Sequence, residues 1–131
     1  MTDLASGVDQ ALYDALSAVV TLGTVFQNPP EDTLPPVVII AEATIEPIGA
    51  KGDPLDRIEQ TILTVVAGKQ KKAVRALQEQ VRTALDNQTL SAAGLAPMMP
   101  VELSCDDQRV IENGKTYYLG TQRFLIFAQP G

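Results

Sequence analysis

The sequence predicts an α+β fold: a mostly antiparallel sheet of four to five strands with two main helices packed on it, in the order α-β-β-β-α-β-β. Three observations predict it. Two segments repeat apolar residues at the three-and-four spacing of one buried helical face. Four longer segments read as strands, by alternation at Val37 to Glu46 and Met98 to Val110, by Ile, Val and Thr at Asp56 to Ala67, and by an apolar run at Tyr117 to Gln129. Turn chemistry built from Gly, Pro and Asn falls between the segments. With 131 residues, 45% of them hydrophobic and 20% charged, the chain can bury one core without staples and is expected to form a single domain over residues 1–131.

The first helix is expected over Leu4 to Val20, with Leu4, Val8, Ala11, Leu12, Ala15, Leu16 and Val19 on its buried face. Asp3 or Ser6 would cap its start, Asp9 would favour the positive end of its dipole, and Gly23 would end it. Thr24-Val25-Phe26 fits a short edge strand. Asn28 to Asp32 must be loop because of its two prolines, and Pro35-Pro36 leads extended into the next element.

From Val37 to Glu46 the residues alternate, with Val37, Ile39, Ala41, Ala43 and Ile45 on one side and Glu42, Thr44 and Glu46 on the other. Val38 and Ile40 make both faces apolar at the start, so that half should be covered twice. Asp56 to Ala67 resumes as a strand, and Pro47 to Leu55 is a hairpin loop longer than usual, a kind of segment that often carries contacts. Gly68 breaks the strand. A second helix is expected over Lys69 to Asn87, burying Val74, Leu77, Val81, Ala84 and Leu85, with Arg75–Glu79 and Arg82–Asp86 pairs on its solvent side. Leu90 to Pro97 is a connector of small residues with room for one helical turn. Met98 to Val110 and Tyr117 to Gln129 are the last strands, joined across Asn113-Gly114, a strong hairpin signal. Phe124 to Phe127 is apolar on both sides, which suits a central strand or one covered by a neighbouring subunit.

Composition narrows the chemistry. The chain has no His, so a Ser-His or Cys-His nucleophile is excluded. Cys105 is the only cysteine and is expected as a small core residue on an apolar strand face, which rules out an internal disulfide and suits a reducing compartment. The first 20 residues hold three Asp and neither Lys nor Arg, unlike a secretory leader, and no apolar run approaches a membrane span. Cytoplasmic synthesis is therefore expected. Adjacent Asp106 and Asp107 point to opposite faces of a strand, and Glu42 and Glu46 lie about 13 Å apart, so neither pair chelates a metal well. No cofactor is expected.

Net charge is −6, which disfavours tight nucleic-acid binding. Five of the ten basic residues nevertheless fall on the second helix. Lys69, Lys71, Lys72 and Arg75 crowd its N-terminal end, where cations oppose the dipole. They are either a solvated face or a docking patch for an acidic partner, including an identical subunit. Lys51, Gly52 and Asp53 in the long loop, and Asn113 with Lys115 at the tight turn, are the other candidate contact residues. The acidic counterparts are Glu42 and Glu46.

The order of segments carries a resemblance. Ala11-Leu12-Tyr13-Asp14-Ala15-Leu16 is similar to the "ALYAAL" opening of the phage tail-terminator, or tail-completion, family, and Pro35-Pro36-Val37-Val38 to its "PPVV"-like strand. Lys72 to Leu77 and Val81 to Leu85 resemble its helix, and Lys115-Thr116-Tyr117-Tyr118 its entry into the last strand. The second long strand departs from the family in having no aromatic residue.

The resemblance implies a structural, non-enzymatic virion protein of phages and gene transfer agents. It would form a ring, a hexamer, on the head-proximal end of the tail tube. Its partners would be itself, the tube protein and the head-tail connector proteins, with DNA only as passing cargo and no membrane. A head-tail adaptor of the neck is the alternative. An enzyme, or a free-standing ligand-binding domain, would be the readings from outside structural proteins.

Overall fold

The computed structural model describes residues 4–30 and 33–131. Asp3, Glu31 and Asp32 lie outside the described residues. Helix α1 (Leu4–Val19) is followed by β1 (Thr24–Phe26), β2 (Val37–Pro47), β3 (Asp56–Ala67), α2 (Lys72–Leu85), β4 (Val101–Glu112) and β5 (Lys115–Ala128). The five strands form one sheet in the order β1-β2-β3-β5-β4. All pairs are antiparallel except β1–β2, which is parallel. The expected α+β fold and element order are present, and β5 is an inner strand between β3 and β4.

Both helices lie on one face of the sheet and touch each other. α1 covers β1 and β2, while α2 crosses β3, β5 and β4. Strand periodicity explains the division: on β3, Ile58, Gln60, Ile62, Thr64 and Val66 are buried, and the residues between them are not. Facing them are Leu12 and Leu16 of α1 and Leu77 and Leu85 of α2, and beside them in the sheet Phe124 and Ile126 of β5, all fully buried. Each such side chain stabilises the fold by about 1.5–3 kcal/mol. The core is aliphatic around one phenylalanine.

Several sequence expectations are corrected. The alternation of β2 is interrupted by a bulge between Ile40 and Ala43, where three steps on β2 match two on β3. Val38 and Ile40 therefore share a face with Ala43 and Ile45, not with Thr44 and Glu46. The buried Gln60 side chain holds the bulge, donating from Nε2 to the Ala41 carbonyl at 2.8 Å. A second bulge, at Leu103 of β4, moves Cys105 out of the expected apolar row and leaves it exposed beside α2.

Helix α2 is shorter than its pattern. Gly68 has φ +128°, Lys71 is the N-cap, and Asp86 turns extended, so Lys69 precedes the helix. Its arginines reach acids of β4 as well as of the helix: Arg75 pairs with Asp107, and Arg82 with Glu102 and with Glu79 one turn back, in place of the expected Arg75–Glu79 and Arg82–Asp86 pairs.

Ser6 lies inside α1 and is not its cap, and α1 ends well before Gly23. Residues 86–100 hold turns and two isolated bridges without a helical turn, and β4 begins only after Pro100.

The Asn113-Gly114 turn is as expected, with φ +53° and +74°. A different glycine secures the packing of α2. Gly120 lies under Gln78, and a Cβ there would collide with the Gln78 amide and the Thr64 hydroxyl. Gly120→Ala is expected to destabilise by about 1–3 kcal/mol through this overpacking, seen as a lower urea midpoint. Thr64 Oγ1 is buried without a hydrogen-bond partner. Thr64→Val is expected to raise the midpoint by the equivalent of about 1 kcal/mol, because the orphaned hydroxyl is removed at nearly constant shape.

Candidate assembly surfaces

The strands run between two ends of the sheet, and the candidate residues divide between them. One end holds the start of β2, the end of β3, the start of α2 and the β4–β5 turn. Lys69, Lys71 and Lys72 lie there, exposed. Lys69 and Lys115 line a common depression of about 310 Å³ with Gly68, Gly114 and Tyr117. Asn113 is on the rim of a second cleft of about 500 Å³, floored by Val65, Val110, Tyr117 and Leu119 on the sheet face without helices. Lys71, as N-cap, makes no side-chain capping bond.

The other end holds the β2–β3 loop with Lys51, Gly52 and Asp53, and Glu46 near the close of β2. All are exposed. Glu46 pairs in register with Arg57, whose guanidinium is taken by Glu59 at 3.2 Å. Glu42 lies in the bulge, part-way along β2. The loop is closed by its own backbone: the amides of Ile48 and Gly49 both donate to the Leu55 carbonyl, at 2.9 and 3.1 Å. The eleven residues of β2 separate the two ends by roughly 30 Å, so the lysines and the loop acids do not meet within one chain.

Arg75 is drawn out of the lysine group by Asp107, at 3.1 Å. It belongs with a polar seam between α2 and β4. Arg82 Nε donates to Glu102 Oε1 at 2.9 Å, and Gln78 Nε2 to the Asp106 carbonyl at 2.8 Å. Gln122 Nε2 donates to Glu102 Oε2 and to the Gln78 carbonyl. Nothing in the periodicity marks this seam. Its one sequence signal is that Gln78 and Gln122 interrupt apolar rows.

Within the seam, the hydrogen bond to Glu102 holds the Arg82 pKa above its ordinary value, against a smaller opposing effect of burial. Partial loss of solvent, then the Glu102 charge, raises the Cys105 thiol, while Arg82 acts to lower it. The thiol form of Cys105 is favoured, which does not suit a nucleophile. Among the described residues no group of three or more His, Cys, Asp or Glu is placed to hold a metal, and no helix is long and apolar enough to cross a membrane.

Comparison with protein families gives the class first: residues 10–129 match a family of structural proteins of phage tails. The chain belongs to that family, described as Tail completion protein gp17. Among solved structures, a chain of the "Virion of native gene transfer agent (GTA) particle" shares the fold, with a TM-score of 0.71 and 17% identity, over 99% of this chain and 98% of that one. No curated protein sequence matches the chain.

Alkylation of Cys105 should show a pH midpoint above the usual thiol value of about 8.5. Arg82→Ala should move it higher still, because the guanidinium that favours the thiolate is lost while Glu102 remains. A midpoint that falls in Arg82→Ala would contradict this account of the seam.

Proposed function

We propose that this tail-completion protein is a tail terminator, acting as one unit over residues 1–131. Its copies form a hexameric ring on the head-proximal end of the tail tube, stop tube polymerisation and present the surface that joins the head. Family membership supports a structural role in the tail, and the fold shared with a chain of a gene transfer agent virion supports a place in such a particle. The role calls for no catalysis and no cofactor.

The observation that carries the ring is the separation of charge along the sheet. Among the described residues, Lys69, Lys71 and Lys72 make no ion pair, and neither do Glu42, Glu46 and Asp53. Two unlike, complementary patches that are too far apart to meet within a subunit are what a heterologous contact requires, and heterologous contacts close into rings. The partners are then the chain itself, the tube protein and the connector. DNA passes as cargo, and the net charge of −6 disfavours its capture by the channel wall.

Light scattering and negative-stain microscopy of the purified protein, alone and with tail tubes, test the reading. Rings of about six subunits seated on tube ends are expected. A chain that stays monomeric in both conditions overturns it, and rings that bind the portal side instead would make the protein a head-tail adaptor. The Lys71→Glu, Lys72→Glu double variant should lose assembly while its circular dichroism and thermal midpoint stay those of the parent. Unchanged assembly would discard the pairing of the lysines with the Glu42 and Glu46 face.

A further inference from the structure

Beside the lysines is a groove that is not polar. About 350 Å³ in volume, it lies between the start of α2 and the ends of β2 and β3, walled by Leu22, Pro36, Val66, Ala73, Ala76 and Leu77. Leu22 is 50% exposed at its edge. Lys72 is on its rim, and Lys69 and Lys71 are adjacent in the chain. Apolar surface of this kind, with lysines along one side, has the form of a binding site for an apolar knob with acidic neighbours.

The same chain carries such a knob at its opposite end. Ile48, 43% exposed, opens the β2–β3 loop directly after Glu46 and Pro47, and Asp53 and Asp56 follow within the same loop and strand start. The loop's backbone bonds hold Ile48 in place before any partner arrives, so little ordering cost is added on docking. Ile45 and Phe127, also exposed at that end, lie within β2 and β5 and do not project from a loop. Met99, Val101 and Leu103 flank Glu102, whose carboxylate is already bonded to Arg82 and Gln122. Glu46 and Asp53 make no ion pair among the described residues. Charge complementarity therefore selects the Ile48 loop.

We propose that the occupant of the groove is the β2–β3 loop of a second copy of this chain, with Ile48 seated between α2 and the strand ends and Glu46 and Asp53 meeting Lys69, Lys71 and Lys72. The contact is heterologous, since groove and knob are different surfaces. It deepens the terminator reading and rests on it, by naming the surfaces through which adjacent subunits of the ring join.

Disulfide trapping tests it. In a Cys105→Ser background, which removes the exposed native thiol, Ala76→Cys and Ile48→Cys are made separately and mixed under mild oxidation, alone and on tail tubes. Both sites are exposed, so neither change disturbs the core. The mixture should give a covalent dimer that neither variant gives alone. A dimer from one variant alone would mean like surfaces meet, and overturns the proposal. Rings without the mixed crosslink overturn it too, while leaving the terminator reading intact. Absence of association, in solution and on tubes, removes both. Independently, Ile48→Ser should weaken self-association by about tenfold or more at an unchanged thermal midpoint. An unchanged association constant counts against the loop as the knob.

Discussion

The edge strand β4 contributes no buried side chain, and the way it is nevertheless held determines much of the surface. Its backbone ladder with β5 fixes one side. On the helix side it is held by polar contacts: Arg75 to Asp107, Gln78 to the Asp106 carbonyl, Arg82 to Glu102, and the Glu102 amide to Asp86 Oδ1. All of these come from α2 or the residue after it. Gly120 is the condition for the arrangement, because the Gln78 side chain reaches β4 only by crossing the sheet where there is no Cβ. Buried amides of this kind stabilise little in net terms but cost much when broken, so they fix the register of helix on sheet more than they add to stability.

The sequence revealed those features that follow from periodicity and turn chemistry. Leu12, Leu16, Leu77, Val81 and Leu85 fall on buried helical faces at the expected spacing. Asn113-Gly114 makes its turn, and the order of strands and helices follows. Its failures share a cause. Bulges at Ala41–Glu42 and at Leu103 shift the period by one residue, and neither is encoded by a Gly or Pro at that place. Cys105 was assigned to the wrong surroundings for that reason. Helical spacing predicts the ion pairs of α2 only from partners on the same helix, whereas Asp107 and Glu102 approach from β4. The clustering of Lys69, Lys71 and Lys72 was legible by composition. The groove beside them was not, since its walls come from three separate stretches of the chain: Leu22, Pro36, and Val66 to Leu77.

With both helices on one side, the sheet presents three kinds of surface. Its helix-free face is mixed, with Val65, Leu119 and Tyr117 toward one end and the Arg57–Glu59 pair toward the other. The strand ends are unlike in charge and in shape, one bearing lysines and a groove, the other a projecting loop. This polarity is a property of the hairpin geometry. An antiparallel pair as long as β2–β3 places its turn as far as possible from the helix that follows it, and the groove forms where that helix begins.

The β2–β3 loop closes through the Leu55 carbonyl, with the Asp53 amide donating to the Ala50 carbonyl inside it. None of these bonds uses a side chain. Its shape is thus set by backbone bonds and by two glycines: Gly52 at φ +84°, and Gly49, where a Cβ would meet the Asp53 carbonyl and the Leu55 amide. In a lineage where the neighbour's surface changes, substitutions at the other tip residues, Ala50, Lys51 and Asp53, carry little penalty for folding, and the loop can follow a diverging partner faster than the sheet can. Chains with as little as 17% identity and the same architecture are what such a division of constraints allows.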